Sequence, residues 1–145
     1  MRLTLVWIGK TRQPATALAA SEYLSRLRTF SRWATVTGEE LAGRDPQRAL
    51  LRRARAARLW LLDPAGRAFD SPAFARFLER EAELYPQEMI LAVGGPDGFS
   101  PELTAAAAGA LSLSPLTLSH ELARLVALEQ VYRALAILSH HPYPH

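Results

Sequence analysis

Cysteine is missing from all 145 residues. Disulfides, thiolate zinc sites and a cysteine nucleophile are thereby excluded, and a reducing cytoplasm is the expected setting. Long hydrophobic runs are missing too, with nothing near the stretch of about 18 apolar residues that a membrane helix needs. The apolar run in Met1–Lys10 is too short for a signal peptide, and no small-residue cleavage site follows it. Lysine is almost absent, since sixteen of the seventeen basic residues are arginine. No internal repeat, linker or low-complexity stretch divides the chain. No Ser-His-Asp order or nucleophile elbow is present either.

What remains is the composition of one globular domain over residues 1–145. Apolar residues make up 49% and charged residues 21%, and a chain of this length buries roughly two-thirds of its unfolded surface. The net charge is +3, a figure that hides an asymmetry. Seven arginines stand against two aspartates between Arg44 and Arg67. Guanidinium is the better bidentate phosphate ligand, so the cluster fits a nucleic-acid partner. It fits equally a solvated helix face.

Apolar runs and helix signals alternate along the chain. Leu3 to Ile8, closed by Gly9, reads as a buried parallel strand. A helical pattern follows from Pro14 to Phe30, then a short strand from Trp33 to Thr37. Pro46 opens a helix to about Arg58. Leu59 to Leu62 is a third strand, ended by the turn signal Asp63-Pro64-Ala65-Gly66. A helix capped at Ser71-Pro72 runs to about Leu84, and Met89 to Val93 is the fourth strand. Ser100-Pro101-Glu102 starts a helix that Gly109 ends. Leu111 to Ser114 is the fifth strand, and Ser119 to Ser139 the last helix. Such alternation predicts an α/β fold, a parallel sheet with helices on both faces. Ligands on such sheets bind beyond the carboxyl ends of the strands, which directs attention to the loops after Leu62, Val93 and Leu113.

Gly94-Gly95-Pro96-Asp97-Gly98 fits neither the dinucleotide fingerprint nor a phosphate-binding P-loop. It offers a backbone that lets a ligand approach closely, or only a tight strand-to-helix turn. Leu113 to Leu118 alternates apolar side chains with hydroxyls and a proline, and could wall a pocket or simply stiffen a helix entry. His120 and Arg124 share one face near a helix N-terminus. Positive charge there is unfavourable without an anionic partner, a mild functional signal, although surface pairs Glu121–Arg124 and Glu129–Arg133 are the bland alternative. Apolar residues too broadly spread for one stripe suggest a last helix buried on two sides, with a second subunit as the simplest cover. Asp63, Asp97 and Glu102 are the acids near the three loops, each with a turn or capping role available. His140, His141 and His145 lie at the terminus with no acidic partner, so no metal site is expected.

The stretches VGGPDGFSPE and LSLSPLTLSHELARLVALEQVYRA, with the closing HPY, resemble the ribosomal large-subunit RNA methyltransferase H family of the bacterial SPOUT superfamily. The likeness runs from the LTLVWIGK strand through EYLSRLR and LLDPAGRAFDSPAFA, and is densest after Met89. It implies a C-terminal trefoil knot, with knot and cofactor site in about residues 89–145. S-adenosyl-L-methionine (SAM) would lie against Leu62, Gly94, Gly95, Leu113, Ser114, Pro115, Leu116, Thr117 and Leu118. The implied activity is methylation of N3 of a pseudouridine in 23S rRNA of the assembled ribosome. The implied assembly is a homodimer through the last helix. His120, Arg124 and Arg133 are then the candidate catalytic residues, and Arg48, Arg52, Arg55 and Tyr143 the candidate RNA contacts. Two features depart from the family pattern. The tail ends Pro142-Tyr143-Pro144-His145, with proline where a histidine is usual, and Glu121 stands where a neutral residue is expected. The rival readings are a non-catalytic RNA- or ribosome-binding α/β protein and a flavodoxin-like nucleotide-binding module.

Overall fold

Five parallel strands, each followed by a helix, make up the computed structural model, which describes residues 1–143. The strands are β1 (Arg2–Ile8), β2 (Thr35–Leu41), β3 (Arg58–Ala68), β4 (Glu88–Val93) and β5 (Gly109–Ser112). The helices are α1 (Pro14–Leu27), α2 (Pro46–Ala54), α3 (Ser71–Leu84), α4 (Pro101–Ala106) and α5 (His120–Leu138). The sheet order is β2-β1-β4-β3-β5, so β1 and β4 are central and covered on both faces. Their sequences show it: every residue of LTLVWI in β1 and of MILAV in β4 is buried, as expected of inner parallel strands.

The period-2 alternation of strands sorts these side chains into two cores. Leu3, Leu5, Trp7, Met89, Leu91 and Val93 pack under α1, α3 and α5. Val6, Ile8, Leu59, Leu61, Ile90 and Ala92 meet Leu50 of α2 and Leu103 of α4 on the other face. Helix α5 lies between α1 and α3 and touches β1 and β4 beneath. Those neighbours account for much of its broad apolar surface within one chain. Leu122 and Ile137 remain exposed on it.

Helix starts follow the local chemistry closely. Proline occupies the first turn of α1, α2, α3 and α4. Asp45, Asp70, Ser100 and Ser119 cap α2, α3, α4 and α5 by accepting from backbone N–H groups, each cap being worth about 1 kcal/mol. Several boundaries move from the expected ones: α2 stops at Ala54 and not about Arg58, β5 is Gly109–Ser112 and not Leu111–Ser114, and Asp70, not Ser71, caps α3. The first helix ends at Leu27 and gives way to a single 3-10 turn over Arg28–Phe30. Strand β2 begins two residues late and runs on to Leu41 through Gly38, Glu39 and Glu40, polar residues that an edge strand tolerates.

Two other differences bear on the site. Asp63-Pro64-Ala65-Gly66 does turn, with Asp63 Oδ1 accepting from the Ala65 N–H at 2.8 Å, but the strand does not end there. Leu62 and Arg67 both pair with Leu111, so four residues loop out and β3 then resumes beside β5. Gly66 permits this, because a Cβ there would lie 2.6 Å from the Ala110 carbonyl carbon. Gly109 is not the helix terminator expected. Helix α4 ends at Ala106, and Gly109 opens β5 under the Trp60 ring, where a Cβ would sit 2.6 Å from Trp60 Cζ3.

Candidate functional site

The carboxyl ends of β4, β3 and β5 are adjacent in the sheet, and the loops that leave them converge. They enclose a pocket of about 400 Å³, within the size range of small-molecule sites. Leu62, Asp63 and Pro64 form one side, Val93, Gly94, Gly95, Pro96, Gly98 and Phe99 another. Leu113, Ser114, Leu116, Thr117 and Leu118 close the third, with Ser119, His120 and Ala123 at the start of α5. All the predicted pocket residues are therefore brought together except Pro115, which belongs to the same loop but not to the lining. Asp63, Pro64, Val93, Pro96, Gly98, Phe99, Ser119 and Ala123 also line it, outside the expected cofactor set. For Phe99 a signal existed, namely one aromatic placed directly after the glycine-rich turn.

The lining is shaped by tight turns. Gly98 has φ of +68°, a left-handed conformation for which glycine is suited, and its N–H donates to the Gly95 carbonyl at 3.1 Å. A Cβ on Gly94 would press on the Phe99 ring at 3.3 Å, whereas one on Gly95 would meet only Ile8, at ordinary contact distance. Gly94 is thus the position where a side chain would disturb the pocket wall. In the third loop Ser114 Oγ accepts from the Leu116 N–H at 3.0 Å, and Ser112 Oγ donates to the Ser114 carbonyl at 3.0 Å. Leu116 is left 76% exposed at the mouth.

Of the three candidate catalytic residues, only His120 lines this pocket. Arg124 sits one turn further along α5, 1% exposed, and reaches the other way. Its Nη2 donates to the Ile8 and Gly9 carbonyls at 3.2 and 3.0 Å, and its Nη1 to Thr11 Oγ1 at 2.7 Å. Glu40 lies 3.9 Å off. The guanidinium thus receives the end of β1, and protein carbonyls with the Glu40 and Glu121 carboxylates stand where the surmised anion would be. Glu121 also has a structural occupation. Its carboxylate is buried and accepts from the Arg12 and Gln13 N–H groups at 3.3 and 3.2 Å. Gln13 is the N-cap of α1 and contributes no side-chain cap of its own. Burial by itself would raise the Glu121 carboxyl; those amides and the nearby Arg124 hold it below the usual carboxylate range.

Arg133 lies three turns from the pocket. It pairs with Glu129 at 2.8 Å and covers the Tyr143 ring at 4.7 Å. The tail doubles back because His140 adopts a left-handed φ of +53° just past the helix. Tyr143 then packs on Tyr132 and donates to Glu129 at 3.1 Å. Burial first, and the Glu129 charge second, push the Tyr143 phenol up to about 12, so it is a donor at neutral pH and not a base. Pro144 and His145 lie outside the described residues. Among the described residues no three His, Asp or Glu side chains cluster to hold a metal.

The arginine run divides. Arg53 pairs with Glu39 and Glu88, and Arg58 with Glu81. Arg48 and Arg52 of α2 and Arg55 at its C-cap are exposed at i, i+4, i+7 spacing; among the described residues only Arg48 of the three is near an acid, Asp45 at 3.8 Å.

A family model described as "Predicted SPOUT methyltransferase" matches residues 1–145. The chain belongs to the SPOUT methyltransferase family. Among its relatives, a protein named ribosomal RNA large subunit methyltransferase H from Trichlorobacter lovleyi is 35% identical over 153 residues and 100% of both chains. A protein of the same name from Koribacter versatilis is 39% identical over 145 residues, 99% of this chain and 97% of that one. A methyltransferase from Legionella pneumophila, solved in complex with SAM, superposes with a TM-score of 0.50 and 16% identity, over 92% of this chain and 66% of that one. That likeness is one of fold. In this SPOUT chain the pocket lies where the parallel sheet opens, and no described helix is long and apolar enough to cross a membrane.

Proposed function

We propose that this chain is a SAM-dependent methyltransferase acting on N3 of a pseudouridine in 23S rRNA of the assembled ribosome, in the cytoplasm. The observation that carries the reading is the three-loop pocket, in a SPOUT chain whose full-length relatives bear the name ribosomal RNA large subunit methyltransferase H. The pocket fits such a cofactor. Leu62, Val93, Phe99, Leu113 and Leu118 supply apolar walls for an adenine, while Gly94 and Gly95 let backbone groups come close. When bound, SAM supplies an activated methyl sulfonium.

The residues of the chain then have limited work. They must align the target nitrogen for in-line attack and remove one imide proton. His120, at the pocket rim, is the candidate to accept that proton or to hold the base. Arg124 contributes indirectly by seating the start of α5 on β1. Arg133 and Tyr143 would meet the RNA from the outer side of α5, and Arg48, Arg52 and Arg55 would add non-specific attraction. The C-terminal knot belongs to the same reading, with α5 returning across the sheet to lie between α1 and α3. So does a homodimer through α5, supported by the exposed Leu122 and Ile137; a stable monomer by light scattering at micromolar concentration would refute the dimer.

The deciding experiment is to incubate the protein and SAM with ribosomes from a strain deleted for the gene, then map 23S rRNA by mass. A methyl group gained on one pseudouridine is expected. No gain on ribosomes, with RNA binding intact, would favour the non-catalytic binding protein.

A further inference from the structure

The loop Gly94–Ser100 is one backbone thick. On one side is the pocket just described. On the other is a second groove of about 470 Å³, lined in part by Ile8, Arg44, Gln47 and Arg48 and by Gly95, Pro96 and Gly98 of the same loop. The far end of the loop is anchored at Ser100, the N-cap of α4, whose Oγ accepts from the Leu103 N–H at 3.2 Å; between Gly94 and there the strip has few ties. Within the loop the tie is the Gly95–Gly98 antiparallel bridge, which includes the Gly98 N–H to Gly95 carbonyl bond.

From behind, the side chain of Gln47 holds it. Gln47, in the first turn of α2, accepts from the Ser100 N–H at 2.6 Å through Oε1 and donates to the Gly98 carbonyl at 3.3 Å through Nε2. One amide thus grips both sides of Phe99, whose ring lines the pocket. Gly98 also pairs with Gly95 in an isolated antiparallel bridge, so the Gln47 amide reinforces the turn at its Gly98 end and is the described side-chain partner of the Ser100 N–H. Gln47 is itself absent from the pocket lining, so it can act only through the loop. Its other neighbours are Pro46 and Arg48, on the helix whose exposed face carries Arg48, Arg52 and Arg55.

We propose that Gln47 is a positioning residue for the cofactor loop: its carboxamide fixes Gly98, Phe99 and Ser100, and so joins the arginine-bearing helix α2 to the pocket wall. The inference rests on the pocket being the cofactor site. An amide serves better than a carboxylate or ammonium here, because the two backbone groups are one donor and one acceptor.

The test uses the intact protein with Gln47→Met, which keeps side-chain length and loses both bonds, and Gln47→Glu, which keeps the acceptor toward Ser100 alone. S-adenosyl-homocysteine affinity is measured by calorimetry well below the melting temperature. The Met variant should bind about tenfold more weakly, equivalent to about 1.4 kcal/mol, with Tm nearly unchanged, and the Glu variant should fall between. Amide exchange in the unliganded protein gives a readout free of the cofactor: the Ser100 N–H should exchange faster in Gln47→Met than in wild type. Affinity within about twofold of wild type, or unchanged exchange at Ser100, overturns the proposal. Wild-type protein that binds no S-adenosyl-homocysteine would instead bring down the proposed function, and this inference with it.

Discussion

His120 and Arg124 stand one helical turn apart, yet they face different surroundings, and single substitutions should separate them. His120→Ala removes the imidazole at the pocket rim and no described hydrogen bond. Turnover on ribosomes should fall about a hundredfold, the lower end of what a proton-handling group contributes, with Tm and S-adenosyl-homocysteine affinity close to wild type. A normal rate in this variant would end the catalytic assignment. Arg124→Ala should behave in the opposite way. It leaves the Ile8 and Gly9 carbonyls unpartnered and a cavity in place of a 1% exposed side chain. A loss of roughly 3 kcal/mol is expected for breaking so buried a charged network, which is roughly 10 °C in Tm for a chain of this size; thermal melts check it. Glu121 supplies a pH signature. Its carboxyl is held below its ordinary value of 4.5, so its contribution to stability is present above that value and lost as pH falls through the lower folded value. Urea midpoints measured downward from pH 6 should therefore decline less steeply in Glu121→Gln than in wild type. Spacing alone puts His120 and Arg124 one turn apart on α5. It could not show that the Arg124 side chain, several bonds longer, would reach back to the end of β1, because the contact joins residues more than a hundred positions apart.

The bulge in β3 is an element whose integrity depends on one missing side chain. Gly66 faces backbone atoms of Ala110 and Leu111 within 2.8 Å of any added Cβ, and backbone cannot move aside cheaply. Gly66→Ala should cost roughly 2 kcal/mol through overpacking and weaken cofactor binding as well, since Asp63 and Pro64 of the same bulge line the pocket. A fall in Tm with unchanged S-adenosyl-homocysteine affinity would show the bulge to be structural only. The DPAG turn was legible from its residues, and so were the helix starts, because proline and capping side chains act locally. That β3 resumes after the turn was not legible: Arg67 and Ala68 pair with β5, and nothing in their own types announces it. Helix α2 is the second element open to test. Neutralising Arg48, Arg52 and Arg55 together should weaken ribosome binding and reduce the slope of log affinity against log salt by about two to three, with cofactor affinity intact. An unaltered slope would reduce that face to a solvated one.

At the scale of the whole molecule, the alternation of apolar runs with helix signals was enough for an α/β sheet, since the central strands β1 and β4 are buried on both faces. Strand order was not recoverable that way, because Leu3 and Met89 carry no mark that pairs them. The fold neighbours and the family match come from the whole chain, and the densest likeness lies after Met89, where loops, not core strands, build the pocket. The broad apolar coat of α5 suits a helix covered on two sides; α1 and α3 of the same chain cover much of it, and its exposed remainder, Leu122 and Ile137, is what bears on assembly.

The position of β1 carries a consequence for the making of the protein. This strand emerges first during synthesis, but only its β2 edge can be satisfied by nearby sequence; the other edge waits for Glu88–Val93. At translation rates of roughly 5–20 residues per second, the growing chain holds one side of an apolar strand open for roughly 4–17 seconds, a period in which it is a template for unwanted pairing. Nascent chains stalled before Met89 should therefore depend on chaperones in a way that the finished protein does not.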